Sequence, residues 1–452
     1  MNITIDSIYN KSPQIVKNFL LSLYYIKTYN QRYGSEYKKQ LQFLHLSRKW
    51  DTAQLEQYQN KKIREFLIFC YNNTIFYKQV FDKINFNPHE YSSKKDLLQI
   101  PYLDKSIISN RYNDIYPSSW LKKNKHIYKS TSGSTGTPLS FARTYDSEQR
   151  YYAKYDFSWQ TSIGKKFKDL RVAFIAGHKI KSVNENDPPF WAYNHLSKTI
   201  YFSSYHMSSE NIYHYLEKIK KYKPEVLAGY PSSISLIANY ILNNDIEICV
   251  PHIFLSSENL SENNKNIINK AFGGKIYNFY GNIEDIGPTY ECKQNMMHLI
   301  QTDNIVNEIQ GEIFLTHFGN YAFPLINYKI DDILSIEDTI CDCGAKGKII
   351  KKIYGRNEDY VLKNDGTKVG RLDHIFKGVN NIQESQIIQN KVQEIIIRIV
   401  KNKNFAENDK KQIIKNASDR LGNNFEFKFE FVDRIPRTKN GKLKFVISNI
   451  NE

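Results

Sequence analysis

Apolar residues in the first hundred positions recur at spacings of three and four, from Phe19 to Tyr29, from Leu41 to Trp50 and from Ile63 to Tyr77. That period puts an apolar stripe on one face of a helix, so this stretch is expected to be helical. From about residue 125 the texture changes. Short β-branched or apolar runs alternate with helical ones: RVAFIAG, NIYHYLEKIKKY, EVLAGY, SSISLIANYIL, HIFLSS, ENNKNIINKAF and KIYNFYG. Strands alternating with helices predict an α/β domain with at least partly parallel sheets. Beyond Gly355 the elements become short and mixed. QEIIIRIV and the strictly alternating FEFKFEFV read as strands, on either side of a helix near Asp409 to Leu421. The expected organisation is a helical region over 1–100 packed on a large domain, an α/β core over 101–355 and a small α+β lid over 356–452. No internal repeat or low-complexity linker interrupts it.

Composition narrows this picture. A hydrophobic content of 41% in 452 residues allows a sizeable core and excludes disorder as the default. The 33 tyrosines, with the excess of Lys, Asn and Ile, fit compositional drift in an AT-rich genome as well as design. The apolar stretch from Phe19 to Ile26 is too short to span a bilayer. It reads as an amphipathic helix with its apolar face on the core; peripheral association with a membrane surface is the alternative. The polar start MNITIDSIYNKS lacks a signal-peptide pattern, and five cysteines in so long a chain do not make a disulfide scaffold. A cytoplasmic protein is expected. The formal charge of +16 attracts anions, but it is scattered in short runs such as Lys122-Lys123 and Lys165-Lys166. Without a basic block or an RNA-binding signature, nucleic acid is not an expected partner.

The sharpest local signal is the run Ser130-Thr131-Ser132-Gly133-Ser134-Thr135-Gly136-Thr137-Pro138, beside Lys129. Its glycines permit a tight turn with N–H groups directed outward, and its hydroxyls can donate to phosphate oxygens. It lacks the Gly-Lys-Ser/Thr ending of the P-loop. A plain Ser/Gly linker is the competing reading. A second constellation is Cys292 and His298 with Cys341-Asp342-Cys343-Gly344. Three thiolates and an imidazole suit tetrahedral Zn²⁺; reduced buried cysteines with a hydrogen-bonded His298 are the alternative. Cys70 and Cys249 lie in apolar surroundings and read as core. His178 follows the strand-like FIAG and could line a ligand cleft or simply pack. Gly229-Tyr230-Pro231-Ser232 reads as a pocket wall or as a strand-to-helix turn.

Taken in order, these and later motifs resemble the adenylate-forming enzymes. The Ser/Thr/Gly run is similar to that family's phosphate-binding loop. Tyr280-Gly281-Asn282-Ile283-Glu284 resembles its Tyr-Gly-x-x-Glu segment. Gly311-Glu312-Ile313 through Pro324 to Asp332 resembles its Gly-Glu…Pro-x-x-x-Tyr-x-x-x-Asp stretch. Gly355-Arg356-Asn357-Glu358-Asp359 resembles the hinge, and Arg437-Thr438-Lys439-Asn440-Gly441-Lys442 the C-terminal lysine loop. The stretches GYPSSI, YNFYGNIEDIG and IPRTKNGKLKFVIS bring the likeness nearest to the phenylacetate–coenzyme A ligase branch and its capsular-polysaccharide-biosynthesis members.

The resemblance implies ATP and Mg²⁺, with a carboxylate attacking the α-phosphate and pyrophosphate leaving. It implies that Ser132, Gly133, Ser134, Thr135 and Gly136 cradle the β- and γ-phosphates. Glu284 holds Mg²⁺, a hard cation suited to carboxylate oxygen. Tyr280, with Gly281, packs on adenine; Ser257-Glu258 lies where the base is contacted; Asp332 takes the ribose hydroxyls; Arg356 touches ribose or phosphate. Lys442 bridges carboxylate and α-phosphate as charge shifts. His178, Gly229, Tyr230 and Pro231 line the acyl pocket, and Glu358 is the hinge. The chain departs from the family at Lys329, where Arg is usual, at Asp331, where Gly is usual, and at Glu358, where Asp is usual. Asp331 and Asp332 thus compete for one role.

The expected function is ATP-dependent activation of a carboxylate as acyl-AMP, followed by transfer to an amine in surface-polysaccharide assembly. An acyl- or aryl-coenzyme A synthetase with a thiol acceptor uses the same adenylation residues. A catalytically inactive anion-binding scaffold is the third reading, against which Glu284, Asp332 and Lys442 argue. The sequence names neither the acid, the acceptor nor the oligomeric state.

Overall fold

The computed structural model describes residues 9, 12–130, 140–182, 184–208, 210–285, 287–309, 312–356, 360–365, 367–370, 372–376, 379, 381–422, 424–438 and 440–450, with the side chains of Arg356, Lys368 and Asp373 excepted. The phosphate-loop residues Ser132, Gly133, Ser134, Thr135 and Gly136 and the hinge residue Glu358 therefore lie outside the described residues. The chain divides into two compact units: 1–25, 168–278 and 354–452 form one, and 26–167 with 279–353 the other.

The first unit is built on a six-stranded sheet ordered Trp191–Asn194, Thr199–Ser203, Val172–Ala176, Val226–Gly229, His252–Ser256, Lys275–Phe279. Val172–Ala176 runs parallel to Thr199–Ser203 and to Val226–Gly229, which is parallel to His252–Ser256; Trp191–Asn194 runs antiparallel to Thr199–Ser203. The helices Ile212–Tyr222, Pro231–Asn243 and Glu262–Phe272 are the crossovers that parallel strands require. Local chemistry sets their ends. Pro231 stands in the first turn of its helix, where a missing N–H costs nothing. Ser261 accepts from Asn264 N to open the last of the three, and Gly273 closes it at φ 66°. Ile175, Leu227, Ile237 and Ile253 fill the core between sheet and helices. The α/β alternation read from the sequence is thus present strand for strand.

The same unit holds a four-stranded sheet ordered Glu426–Phe431, Glu394–Lys401, Ile382–Lys391, Val446–Ser448, covered by the helix Glu407–Leu421. FEFKFEFV and QEIIIRIV are its parallel neighbours, from Glu394 beside Glu426 to Ile399 beside Phe431.

In the second unit the helices Ser35–Ser47, Thr52–Asn73 and Ile75–Lys83 precede four short helical segments between Lys94 and Leu121. Asp51 and Gln54 form a capping box that starts Thr52–Asn73, and Thr74 caps the next helix by accepting from Tyr77 N. Ile63, Phe66, Leu67, Tyr77 and Phe81 pack against Ile313, Leu315, Leu325 and Tyr328 of the sheet Asn304–Ile309, Glu312–His317, Leu325–Lys329. A second sheet is ordered Asp332–Ile340, Lys346–Arg356, Met297–Leu299, Thr289–Glu291. The long helix Tyr145–Ile163, capped by Thr144 and closed by Gly164 at φ 83°, carries an unusual number of buried polar residues, among them Glu148 and Lys154.

One expectation is overturned at the N-terminus. The helix Gln14–Arg32 turns its polar side inward. Gln14 Nε2 donates to Trp191 O (2.6 Å), Asn18 Oδ1 accepts from Tyr193 N (2.9 Å) and Ser22 Oγ accepts from His195 N (3.2 Å). Four helical residues rise about 6 Å and two strand residues about 6.6 Å, so residues at i, i+4 and i+8 match alternate positions of a strand. The side chains serve as a further strand along the open edge of the sheet, and the apolar side is left facing out.

Candidate functional site

The lysine loop belongs to the first unit, and its anchors lie at the carboxyl ends of four adjacent strands of the six-stranded sheet. Gly441 O accepts from Ser204 Oγ (2.8 Å), just after Thr199–Ser203. Asn440 O accepts from Tyr230 Oη (3.0 Å), just after Val226–Gly229. Leu443 N donates to Glu258 Oε1 (2.9 Å), past His252–Ser256, while the other oxygen of Glu258 accepts from Ser232 N (3.0 Å). At the fourth strand, Val172–Ala176, the contact is backbone on backbone. A Cβ built at Gly177 would stand 2.0 Å from the Asn440 carbonyl oxygen, and one at Gly441 would stand 2.6 Å from Gly177 Cα. Gly441 also has φ 72°, a conformation that suits glycine. The loop is closed internally by Thr438 N to Lys442 O (2.9 Å), and Arg437 is paired with buried Glu384. The Lys442 ammonium lies 6.0 Å from the Tyr230 ring centroid. Carboxyl ends of parallel strands are where open α/β sheets bind ligands.

Replacing Gly177 by alanine will undock this loop, because neither backbone can retreat from a 2.0 Å approach. Trypsin cleavage after Lys442 and Lys444 is expected to accelerate about tenfold or more, the cost of an added methyl in a packed site being about 1–3 kcal/mol. Unchanged cleavage would show that the loop is held by other means.

Other residues of this unit vary in how they fit their expected roles. His178 is packed between Phe174 and Tyr201, with Nε2 enclosed and, among the described residues, without a hydrogen-bond partner, and burial pushes its pKa down to about 4. Position 229 requires glycine: its φ is 145°, and a Cβ there would meet Ile175 O at 1.9 Å. Ser257 is held at φ 73°, a left-handed conformation rare outside glycine. Both carboxylate oxygens of Glu258 bind backbone N–H groups.

The second unit carries Tyr280, Gly281, Glu284 and Asp332. Tyr280 Oη donates to Asp332 Oδ2 (2.7 Å), and the backbone around Tyr280 is fixed by reciprocal bonds with Thr289. Asp331, by contrast, is paired with Lys105. Glu284 is buried, and both its neighbours in the chain are held by cations. Arg143 donates to Ile283 O and pairs with Glu148 at 2.8 Å. Lys154 Nζ lies 2.6 Å from Asp285 Oδ2 and 2.5 Å from Asp303 Oδ2. Burial favours the neutral acid, yet Lys154 and neighbouring groups hold Asp303 below the usual carboxylate range. His317 completes the cluster 3.6 Å from Asp285, and burial pushes it down to about 4, so it is neutral. Lys129 also pairs with Glu148 (2.7 Å). Sequence reasoning missed Arg143, Glu148, Lys154, Asp303 and His317. For Glu148 and Lys154 the signal was polar residues at core positions of the helix Tyr145–Ile163, visible only once the buried face is known; Arg143, Asp303 and His317 lie outside that helix and carried no such pattern.

The cysteine–histidine set forms at two hairpin turns of one sheet. Cys292 opens the turn between Thr289–Glu291 and Met297–Leu299, and Cys341 and Cys343 occupy the turn after Asp332–Ile340, with Gly344 at φ 84°. Cys292 Sγ and Cys341 Sγ are 3.8 Å apart, and Cys343 Sγ and His298 Nε2 are 3.5 Å apart. Tetrahedral Zn²⁺ with Zn–S near 2.3 Å and Zn–N near 2.0 Å places such pairs about 3.8 and 3.5 Å apart. All four ligand atoms lie within 4.8 Å of one another. Burial holds His298 at about 4, leaving a neutral ring able to coordinate, and Arg48 donates to Cys343 O (3.1 Å) behind it.

The model of the CapK C-terminal domain matches residues 361–449. The chain is 31% identical to Protein CapK of Staphylococcus aureus, over 99% of this chain and 100% of that protein. It is 20% identical to a phenylacetate–coenzyme A ligase of Thermus thermophilus, over 68% of this chain and 72% of the relative. Among solved structures it shares the fold of a 2-hydroxyisobutyryl-CoA ligase in its postadenylation state, with TM-score 0.69 and 16% identity over 89% of this chain and 91% of that one. Identity to Protein CapK that runs end to end shows that the chain belongs to the CapK family, and its fold is that of the 2-hydroxyisobutyryl-CoA ligase.

Proposed function

We propose that the protein uses ATP to convert a carboxylate into its acyl-AMP and passes the acyl group to an amine during assembly of a bacterial surface polysaccharide. The observation that carries this reading is the lysine loop seated on the carboxyl ends of the parallel strands, held by Ser204, Tyr230 and Glu258. Two anions must meet in the reaction, and they repel. Lys442 is assigned to the developing charge between carboxylate and α-phosphate, as a preorganised cation whose loop need not reorganise during the step. Glu284 is assigned to Mg²⁺, whose role when bound is to neutralise phosphate charge. Its buried carboxylate is a hard oxygen donor that suits this ion. Tyr280 is assigned to the adenine and Asp332 to the ribose. The bond from Tyr280 to Asp332 supports their acting as one unit, and the pairing of Asp331 with Lys105 supports Asp332 as the residue that takes the ribose. Ser132 to Gly136 are assigned to the outer phosphates, Arg356 to ribose or phosphate, Glu358 to the hinge of a lid over 356–452, and His178, Gly229, Tyr230 and Pro231 to the acyl pocket. Ser257 and Glu258 are assigned to the contact with the base, and Glu258 also holds the lysine loop. Dependence on ATP supports a cytoplasmic location; among the described residues no helix is long and apolar enough to cross a membrane.

The likeness to phenylacetate–coenzyme A ligases favours a thiol acceptor as the second reading. Product analysis with and without coenzyme A separates the two: an amide formed without coenzyme A supports the first, a thioester the second.

Structural Zn²⁺ is assigned to Cys292, His298, Cys341 and Cys343, where it would tie the two hairpin turns together. Elemental analysis of the purified protein should find about one zinc per chain, lost in Cys341→Ser. A zinc-free protein in which Cys292, Cys341 and Cys343 titrate as three free thiols, with unchanged stability, would show these cysteines to be ordinary buried thiols.

A further inference from the structure

A helix on the surface of a soluble domain normally buries its apolar stripe. In Gln14–Arg32 the inward stripe is Gln14, Lys17, Asn18 and Ser22, each bonded to protein; Lys17 Nζ donates to Ile180 O (3.3 Å). The outward stripe is Ile15, Val16, Phe19, Leu23 and Ile26, with Ile15 82%, Phe19 61% and Ile26 57% exposed. These positions fall within about 100° of one another at 100° per residue. Lys27 borders them and is exposed. Between Asp6 and Glu36 the chain has no acidic residue, within a protein of formal charge +16.

We propose that this face of the helix lies on an anionic phospholipid surface, parallel to the membrane plane. Burying apolar side chains at the headgroup boundary and attracting lipid phosphates with lysine are the two terms that bind interfacial helices. Charge complementarity selects the anionic membrane. A second copy of the chain is a poorer occupant. Nineteen residues span about 28 Å, so a stripe roughly 10 Å wide offers on the order of 300 Å², well below the roughly 800 Å² per partner of a stable dimer. The polar inner side explains why the helix stays attached when its apolar side is occupied: its anchors to the sheet edge are hydrogen bonds, independent of the outward face.

The test is co-sedimentation of the full chain with vesicles of phosphatidylcholine mixed with phosphatidylglycerol, and with phosphatidylcholine alone. The expected result is binding to the mixed vesicles that falls at least about tenfold in the double variant Phe19→Ser, Leu23→Ser, since each buried side chain of this size is worth about 1.5–3 kcal/mol. Lys27→Glu, which leaves the apolar stripe intact, should weaken binding about fivefold or more on mixed vesicles only. Both substitution sets lie at exposed positions away from the site, so ATP–pyrophosphate exchange serves as the check that the variants fold. Wild-type protein that stays in the supernatant, or variants that bind like the wild type, would overturn the proposal. So would a dimer in sedimentation velocity that the double variant dissociates, which would assign the face to a second copy.

Discussion

Replacing Lys154 by methionine is expected to cost about 3–5 kcal/mol of folding stability, enough to remove much of the margin of an ordinary domain. The side chain is 1% exposed and its ammonium is shared by Asp285 and Asp303, themselves buried. Methionine fills the volume but leaves carboxylates without their cation. Among the described residues Asp285 Oδ1 already lacks a hydrogen-bond partner, and neutral His317 supplies no charge in compensation. The cost is therefore that of stranded charge rather than of a lost contact. Adding Asp303→Asn to Lys154→Met should recover part of it, because one stranded charge is removed with its partner. Denaturant melts of the two variants measure this. A Lys154→Met protein as stable as the wild type would mean that Asp285 and Asp303 are not both ionised around Lys154.

Lys442→Ala is expected to have the largest effect on chemistry. On the proposed assignment the ammonium meets charge that exists only while the carboxylate attacks the α-phosphate, so its loss should lower the adenylation rate by about 10²–10³ and leave ATP binding nearly unchanged. Stability should change little, since the side chain is only partly buried and the loop is held through backbone groups of Asn440, Gly441 and Leu443. A fall in kcat without a matching rise in the KM for ATP distinguishes this from a general loosening of the loop. An equal loss in Lys442→Arg would assign geometry as well as charge to lysine.

Much of the fold could be read from the chain because its elements carry strong, separate periods. RVAFIAG, EVLAGY and HIFLSS are bounded by turns and too short for helices, and each is a strand of the six-stranded sheet. FEFKFEFV alternates because Phe427 and Phe429 pack against the C-terminal core while Lys428 and Glu430 point to water or to partners. The cysteine set was legible because thiols and imidazole in two tight groups have few common uses. The N-terminal helix misled for a physical reason. Periodicity reports that a helix has an apolar face but not which way it turns, and here an open sheet edge, which needs hydrogen bonds, claimed the polar one. The Lys154 cluster was illegible because its members are spread from 154 to 317 and meet only in three dimensions. Gly177 was similarly silent: a glycine after a strand announces a turn, whereas its use is to admit the backbone of Asn440.

The measurement that bears most directly on the central claim is ATP–pyrophosphate exchange by the wild-type protein against aryl, amino and uronic acids, with Lys442→Ala run in parallel. The account predicts exchange that requires Mg²⁺ and one class of acid and that collapses in the variant. Exchange that survives unchanged in Lys442→Ala, or ATP binding without exchange on any acid including glycan-linked uronates, would contradict it.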